Sequence, residues 1–372
     1  MRKRIRTSYS IGILLLAFHY CGCGGGGSST GGGGGGGTGG STTTVYVAGG
    51  VYNPISGSSQ AYYWTNGVSS MVQGGGASYD PGEGALTIAV ANGNVYITGN
   101  EYDSTTSNYI ATYWTNGAAT NLTDGTVNAS ANGIAVSGSD VYVAGSKIDS
   151  ATGNSIALYW KNGSPVALTD GTVSSEATAI AVSGSDVYVA GSQFNSATSY
   201  YQAAYWKNGV VTLLPAIGGY NVSLSYSIAV SGSDVYVAGI ENYKGGTPAA
   251  CYWKNGTLVA LTNHPSQSSD AYSIVISGGN VYVGGTDWDS PTGQGMATYW
   301  ENGVETAVSD PTKLALGYAI AVSGSDVYIA GQQWDSTTGY YVPYYWKNGV
   351  ATALPSNASE DGIANSIAVV VQ

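Results

Sequence analysis

The sequence has little charge, and arginine is missing from nearly all of it. Charged residues make up 9% of the chain, and no arginine follows Arg6. Beyond the N-terminal leader the only cations are lysines, which are spread singly along the chain. Binding to nucleic acid by counterion release needs clustered lysine and arginine, as does attraction to anionic lipid headgroups, so neither is predicted. The lack of arginine also excludes chemistry that clamps a carboxylate or a phosphate bidentately.

Cysteine and histidine are scarce as well. The three cysteines are Cys21, Cys23 and Cys251, and the first two belong to the leader, so no internal disulfide framework is predicted. Cys251 lies in a predicted strand and is interpreted as a small buried apolar residue. The one histidine beyond the leader, His264, lies in a predicted loop without a second histidine or cysteine to complete a zinc site. No metal, cofactor or catalytic residue is therefore predicted.

The N-terminus has the pattern of an export signal. A basic start is followed by the apolar run Ile11–Phe18, which is too short to span a bilayer. The segment Cys21-Gly22-Cys23 then resembles a bacterial lipoprotein signal, in which cleavage precedes a cysteine that is acylated. The resemblance implies a signal peptide over residues 1–22 and lipidation of Cys23, although Tyr20 stands where the family prefers leucine. Acylation of Cys21, an ordinary secreted protein and an uncleaved leader are the alternatives.

Residues 23–44 are almost entirely glycine, serine and threonine. Such a segment cannot bury apolar surface, so it is predicted to be a flexible tether. Together with the acylated cysteine, the tether predicts a protein held in the bacterial cell envelope by its lipid alone. The outer membrane is expected, on its periplasmic or its surface-exposed face.

What the sequence has in abundance is repetition. The phrase Ile-Ala-Val-Ser-Gly-Ser-Asp-Val-Tyr-Val-Ala-Gly recurs with small changes, and a second phrase, Tyr-Trp-Lys-Asn-Gly, follows it. The tyrosines of the first phrase are Tyr46, Tyr96, Tyr142, Tyr188, Tyr236, Tyr282 and Tyr328. The tryptophans of the second are Trp64, Trp114, Trp160, Trp206, Trp253, Trp300 and Trp346. A period of this length is typical of a propeller blade.

The third repeat shows how each unit is predicted to fold. Strand A is Ile134–Ser137, strand B is Val141–Gly145, strand C centres on Tyr159–Trp160 and strand D is Val166–Thr169. The A–B turn is Ser-Gly-Ser-Asp, and the C–D turn is Asn162-Gly163, a pair that is favoured where both central residues need positive φ. Four antiparallel strands of this kind form one blade.

The two ends of the repeat region complement each other. The first repeat begins at a strand B, residues 45–49, and the chain finishes with a strand A, residues 366–370. We therefore predict an all-β, seven-bladed β-propeller over residues 45–372, with four-stranded antiparallel blades. Its ring is predicted to close where the C-terminal strand pairs with the N-terminal blade.

The repeat phrases also carry a family resemblance. The run Ala203–Gly209 resembles the units of bacterial extracellular β-propeller repeats, including the HAF-type repeat, and strands A and B resemble related secreted propeller repeats. The resemblance covers residues 45–372 and implies an extracytoplasmic propeller, but these families have no agreed activity. Sialidase-type propellers depend on arginine, so that class of enzyme is excluded.

Acidic residues that recur in many repeats favour structural roles. The same A–B turn position holds Asp140, Asp186, Asp234 and Asp326. These are interpreted as turn residues, because an active site is normally asymmetric. A second motif, Asp149-Ser-Ala-Thr-Gly, recurs at Asp289 and Asp335 and is interpreted as a B–C turn. Calcium binding is the alternative for the Asp-Trp-Asp run at 287–289, because its carboxylates could serve as oxygen ligands. The run has too few of them for a full calcium loop.

The remaining asymmetry is mainly aromatic. The A–B and C–D turns are predicted to lie on one rim of the ring, here called the A–B rim, and the B–C and D–A connections on the other, the B–C rim. The B–C rim is predicted to be the working face, because it varies most among the repeats. Aromatic rings beside acids suit sugar stacking or a protein hot spot, and packing of the rings between blades is the alternative. The tentative ligand-binding residues on this rim are Trp288, Trp334, Tyr102, Asp289, Asp335 and Asp103.

The function expected from the sequence is a non-enzymatic binding or adhesion module that presents a propeller rim to a glycan or a protein partner. No enzyme activity is expected, because no repeat carries its own set of acid, base or metal-ligating residues. A monomer is expected. The alternatives are a propeller hydrolase or lyase that uses loop carboxylates, and a structural surface subunit.

Overall fold

A computed structural model describes residues 42–56, 58–72, 87–216, 222–242, 247–262, 268–288, 293–357 and 359–372. These residues form seven four-stranded antiparallel sheets, and the innermost strands of successive sheets contact one another around a ring. The predicted seven-bladed β-propeller is confirmed. The leader, Cys21, Cys23, the tether up to residue 41, His264 and Asp289 lie outside the described residues. Within those residues, no helix is long and apolar enough to cross a bilayer.

The blades are numbered by the order of their Tyr-Trp phrases. The strands of blades 1 to 3 are β1 (Thr43–Asn53), β2 (Ser58–Thr65), β3 (Val68–Met71), β4 (Thr87–Ala91), β5 (Asn94–Asp103), β6 (Asn108–Thr115), β7 (Ala118–Asn121), β8 (Ala129–Ser137), β9 (Asp140–Ile148), β10 (Ser155–Lys161) and β11 (Ser164–Ala167). Those of blades 4 and 5 are β12 (Ser175–Ser183), β13 (Asp186–Asn195), β14 (Tyr200–Lys207), β15 (Val210–Leu213), β16 (Ser223–Ser231), β17 (Asp234–Asn242), β18 (Pro248–Lys254) and β19 (Thr257–Ala260). The rest are β20 (Ser269–Ser277), β21 (Asn280–Asp287), β22 (Met296–Glu301), β23 (Val304–Ala307), β24 (Ala315–Ser323), β25 (Asp326–Asp335), β26 (Tyr340–Lys347), β27 (Val350–Ala353) and β28 (Asp361–Val371).

The third blade shows where the predicted strands were right and where they were short. Its Asn-Gly turn is confirmed, with φ of 51° at Asn162 and 81° at Gly163. Strand A, however, begins at Ala129 rather than Ile134, and strand D ends at Ala167 rather than Thr169. The early part of strand A was missed because a bulge interrupts its pairing with β9 between Ala131 and Gly133, and a bulge breaks the alternation of inward and outward side chains.

That bulge explains the invariant glycine at the end of the first repeat phrase. A Cβ atom on Gly145 would lie 1.8 Å from the carbonyl oxygen of Ser130, so no larger residue fits. The same close approach occurs at Gly49, Gly191, Gly239, Gly285 and Gly331. The glycine therefore lets strand A run close to strand B on its way to the B–C rim.

The apolar core lies between the blades. The strand-C tryptophan of every blade is at most 1% exposed, and its cluster contains residues of two neighbouring blades. Two of the indoles also tie blades together, because Trp253 Nε1 donates a hydrogen bond to the carbonyl of Pro215 (2.7 Å) and Trp64 Nε1 to that of Pro355 (3.1 Å). Burial of each such side chain is worth roughly 1.5–3 kcal/mol, so the core stabilises the ring rather than the single blade.

The two ends of the described chain close the ring. Blade 1 has the strand order β28-β1-β2-β3, and β28 pairs with β1 from Thr43 and Val371 to Tyr52 and Asp361. Two further backbone hydrogen bonds join Thr42 and Gln372, at 2.9 and 3.0 Å. Both ends therefore lie on the A–B rim, and the predicted closure by the C-terminal strand is confirmed.

Candidate functional site

The A–B rim repeats one arrangement, a lysine–aspartate ion pair without net charge, in several blades. In blade 3, Lys161 Nζ lies 2.8 Å from an Asp140 carboxylate oxygen and 5.2 Å from the centre of the Tyr142 ring. Asn162 Nδ2 donates to the other oxygen at 2.8 Å. These hydrogen bonds, first the one from Lys161, lower the pKa of Asp140. The same ion pair joins Lys207 to Asp186, Lys254 to Asp234 and Lys347 to Asp326.

The interpretation of these aspartates as turn residues is confirmed, with a different set of partners. They bond to side chains of the C–D turn rather than to their own backbone. Blade 6 replaces the aspartate with Asn280, which donates to Glu301 at 3.0 Å. The arrangement therefore holds the two turns of a blade together and leaves little net charge on the A–B rim.

The B–C rim uses its aspartates to shape loops. Asp103 accepts hydrogen bonds from the Thr105 amide (2.8 Å) and the Thr106 hydroxyl (3.0 Å), and these bonds lower its pKa. Asp149 and Asp335 make equivalent bonds in blades 3 and 7. The interpretation as B–C turns is confirmed for these residues, because Asx turns of this kind fold the backbone locally.

All of these loop donors are neutral, so the B–C rim keeps its negative charge. Within the described ranges, the lysines on this rim are Lys147 and Lys313. The acids on it are Glu101, Asp103, Asp124, Asp149, Asp170, Glu176, Glu241, Asp270, Asp287, Asp310, Asp335, Glu360 and Asp361. Glu241 and Asp287 are buried, so the other acids of this set give the rim the negative charge that attracts cationic ligands and repels anionic ones.

The inner strands of blades 5 to 7 differ from those of blades 3 and 4 in carrying a tyrosine at the bulge. Tyr226, Tyr272 and Tyr318 each occupy the bulge position of strand A. The ring centroids of Tyr226 and Tyr272 are 5.3 Å apart, and those of Tyr272 and Tyr318 are 5.6 Å apart. In blades 3 and 4 the bulge residues are Asn132 and Thr178, whose side chains bond to the carbonyl groups of Ala177 and Ser225 in the next blade. An aromatic arc therefore spans one side of the ring.

Asp270 lies beside this arc on the B–C side of β20. Burial and the nearby Asp287 raise its pKa from 3.8 to about 6, while hydrogen bonds with Tyr272 and Trp288 oppose that rise. Asp287 itself is only 3% exposed. The neutral form of the Asp270 carboxyl therefore persists to higher pH than that of an exposed aspartate.

The structure places the predicted ligand-binding residues in different surroundings. Trp288 is half-buried and bonded to Asp270, whereas Trp334 is 38% exposed and packs edge-on against Tyr341, with ring centroids 5.1 Å apart. Tyr102 packs on Tyr109 at 5.3 Å. Their role in binding stays a prediction.

Sequence reasoning missed Asp270 and the aromatic arc. The signal was present in the residue that precedes the Gly-Ile, Ala-Ile or Ser-Ile pair of strand A, which is tyrosine in blades 5 to 7 and asparagine or threonine in blades 3 and 4. The bulge hid it, because the position was assigned to the D–A connection rather than to the strand.

The cysteine that the structure describes has a structural environment. Cys251 is buried, as predicted, and burial raises the pKa of its thiol well above its usual range. In the ranges that the structure covers, no three His, Cys, Asp or Glu side chains come together as a metal site would require.

Comparison with solved structures identifies the fold. The chain is similar to the β-propeller domain of the Trilobed protease from Pyrococcus furiosus, with 9% identity, a TM-score of 0.52, and coverage of 84% of this chain and 92% of that one. It is also similar to the acylaminoacyl peptidase from Pyrococcus horikoshii, with 12% identity, a TM-score of 0.51 and 84% of this chain covered. This chain covers 51% of that peptidase, so it spans about half of its length. No protein-family model and no curated protein sequence matches the chain.

The Trilobed protease domain has what is described as an open velcro topology. Here, in contrast, β28 and β1 share a sheet, so the ring is closed by strand pairing. The similarity thus extends to the propeller but not to the way in which the ring is closed.

The prediction of a non-enzymatic binding or adhesion module for a glycan or protein partner is wrong. Solved structures that share this fold over most of the chain include those of a peptidase and of a protease's propeller domain, at 9–12% identity. The expectation that the chain is no enzyme rested on its lack of a catalytic set. That expectation stays a prediction, because a propeller can serve an enzyme whose catalytic groups lie in another domain.

Proposed function

We propose that this propeller is the substrate-contacting part of a peptidase system, with the catalytic groups supplied by another domain or polypeptide. The observation that carries the proposal is the difference between the rims. The A–B rim repeats a neutral arrangement, whereas the B–C rim is acidic and differs from blade to blade. A surface that selects substrates needs such differences. The likeness to peptidase propellers supports this choice among the possible enzymes.

The test is peptide hydrolysis by cells with and without the protein. Envelope and secreted fractions of the source cells are given a mixture of unmodified peptides, and the products are identified by mass spectrometry. We expect deletion of the protein to abolish cleavage of a subset of peptides and the purified full-length protein to restore it. An identical cleavage profile in the two strains would refute the proposal.

A matched pair of variants makes the test specific to one rim. Asn replaces Asp103, Asp149 and Asp310 together on the B–C rim, where asparagine retains Asx turns. The control places Asn at Asp140, Asp186 and Asp234 on the A–B rim, which changes the net charge equally. We expect the A–B rim variant to restore peptide cleavage and the B–C rim variant not to restore it. Equal restoration by both would mean that the acidic rim does not handle the substrate.

A second candidate is a hydrolase or lyase in which the propeller itself supplies the acid. The pKa of Asp270 near 6 beside the Asp287 carboxyl favours it, because a general acid works best near its own pKa. This acid lies on a strand and not in a loop. The purified protein is assayed alone on a panel of chromogenic glycosides, with Asp270→Asn as the test variant and Asp326→Asn as the control. No turnover, or turnover that survives Asp270→Asn, would eliminate this candidate.

We also propose that the protein works at the bacterial envelope, anchored through Cys23, as its resemblance to lipoprotein signals and to HAF-type secreted repeats implies. In this proposal Cys23→Ser moves the protein from detergent-phase membrane fractions into the soluble pool. If the Cys23→Ser variant stays in the detergent phase and the Cys21→Ser variant does not, the lipid is attached to Cys21.

A further inference from the structure

Blade 7 contains a cleft that lies on the B–C rim, next to the strand that closes the ring. Its volume is about 310 Å³, which lies at the lower end of the range for small-molecule sites. Asp335 from the B–C turn and Glu360 from the segment before β28 both line it. Val342, Leu354 and Pro355 supply apolar surface, and Tyr340 supplies an aromatic ring.

The cleft exists because blade 7 departs from the pattern of blade 3. There the D–A connection folds onto the B–C turn, since the carbonyl of Gly171 accepts hydrogen bonds from Asn154 Nδ2 (2.9 Å) and Thr152 Oγ1 (3.2 Å). In blade 7 Tyr340 stands at the position of Asn154, and Ser356-Asn357 replaces Asp170-Gly171. The hydrogen bond from Asn154 therefore has no equivalent donor in blade 7, although Thr338 stands at the position of Thr152.

The two carboxylates of the cleft are held in place by neutral groups. Asp335 accepts from the Thr337 amide at 2.8 Å and from the Thr338 hydroxyl at 3.1 Å. Glu360 accepts from Asn53 Nδ2 at 3.0 Å and from Asn357 Nδ2 at 2.8 Å. Each carboxylate oxygen has a second lone pair, so both groups are positioned and retain capacity to accept a hydrogen bond.

From this arrangement we propose that the cleft binds a primary ammonium group on an apolar or peptide stem. The ammonium group donates to Asp335 and Glu360, and its stem lies along Val342, Leu354 and Pro355. An ammonium group fits because it has three donors and no acceptor, matching a site of carboxylates. Two sources carry this chemistry, a lysine side chain and the N-terminus of a peptide. The inference names a substrate class for the proposed peptidase system and to that extent rests on it.

Three short peptides test the inference against the purified full-length protein, with binding measured by calorimetry. Acetyl-Gly-Lys-Gly-amide carries the ammonium only on its side chain, and Gly-Gly-Gly-amide carries it only at its N-terminus. Acetyl-Gly-norleucine-Gly-amide has no ammonium group. We expect one or both of the first two to bind and the third not to bind, and which of them binds identifies the source.

Variants assign the binding to the cleft. Asp335→Asn keeps the Asx turn but removes the charge, and it is expected to weaken binding by at least about fivefold. Asp326→Asn makes the same change in charge on the A–B rim of the same blade and is expected to leave binding unchanged. Glu360→Gln should weaken binding as well. If this variant also disrupts the contact between Glu360 and Asn53, the result for Asp335→Asn is the one that tests the inference. Binding of the norleucine peptide as tightly as the lysine peptide, no binding by either cation, or equal binding by wild type and Asp335→Asn would each overturn the inference.

Ammonium binding in the cleft and the proposed peptidase role can be refuted independently of each other. Ammonium binding that depends on Asp335, in a protein that does not restore peptide hydrolysis, would uphold the cleft and refute the peptidase role. Restored hydrolysis without ammonium binding would do the reverse.

Discussion

The two rims of this propeller come from the same repeats, yet only one of them is repetitive. On the A–B rim, the backbone must reverse with positive φ at two successive residues, which confines the C–D turn to Asn-Gly. The B–C rim has longer connections, whose hydrogen bonds several residue types satisfy. The requirement for positive φ therefore keeps the A–B rim constant. The connections of the B–C rim have no such requirement in common, so acidic and aromatic residues can replace one another there.

The largest expected effect comes from opening the ring on which both rims depend. Deletion of Ser366–Gln372 removes the buried Ile367 and most of the pairing between β28 and β1. We expect the cooperative thermal transition to be lost, because the exposed edge of β1 and the cores of blades 1, 2 and 7 lose their cover. Val371→Ala, at a position that is 50% exposed, is the control and should melt like the wild type. Normal melting of the truncated protein would show that the blades do not need closure.

Asp270→Asn on the B–C rim should stabilise the protein at neutral pH. The folded-state pKa of Asp270 is raised, so the stability linked to its neutral form is present below pH 4 and is lost as the pH rises through about 6. Asparagine removes this loss, with a gain of up to about 3 kcal/mol at pH 7 and none at pH 4. Urea unfolding of both proteins at the two pH values measures the difference. A variant that is less stable at pH 7 would mean that the ionised form is favoured in the fold.

A smaller loss is expected when the geometry of the A–B rim is disturbed. Asn162→Ala places alanine at φ of 51° and removes the hydrogen bond that the Val141 amide donates to Asn162 Oδ1. The expected cost is about 1–2 kcal/mol of unfolding free energy. Asn162→Gly keeps the backbone conformation and should lose less. If alanine and glycine cost the same, the side-chain hydrogen bonds and not the backbone fix this turn.

The smallest effect is expected from the ion pairs of the A–B rim, despite their recurrence. The side chains of Lys161 and Asp140 are 45% and 35% exposed, and ion pairs at the surface contribute little because water and salt screen them. Lys161→Gln should leave the midpoint of thermal unfolding unchanged within error. A clear drop would mean that the pair is part of a cooperative network with Tyr142 and Asn162.

The sequence predicted most of the fold because the constraints on it are local. Asn162-Gly163 defines a hairpin, and the unmatched strands at the two ends define closure of the ring. The candidate site was harder to predict, because it depends on differences among repeats at positions that a bulge takes out of register. Asp270 has no distinguishing neighbour in the sequence, and its raised pKa arises from burial against blade elements that meet only in three dimensions.

The hydrogen bonds between Thr42 and Gln372 also place both ends of the described chain on one rim. Any segment that precedes residue 42 must leave the ring on the A–B rim, since β1 begins there. The acidic B–C rim lies on the opposite side of the ring from that segment. The pairing of β28 with β1 therefore fixes which of two chemically different rims lies next to whatever precedes residue 42.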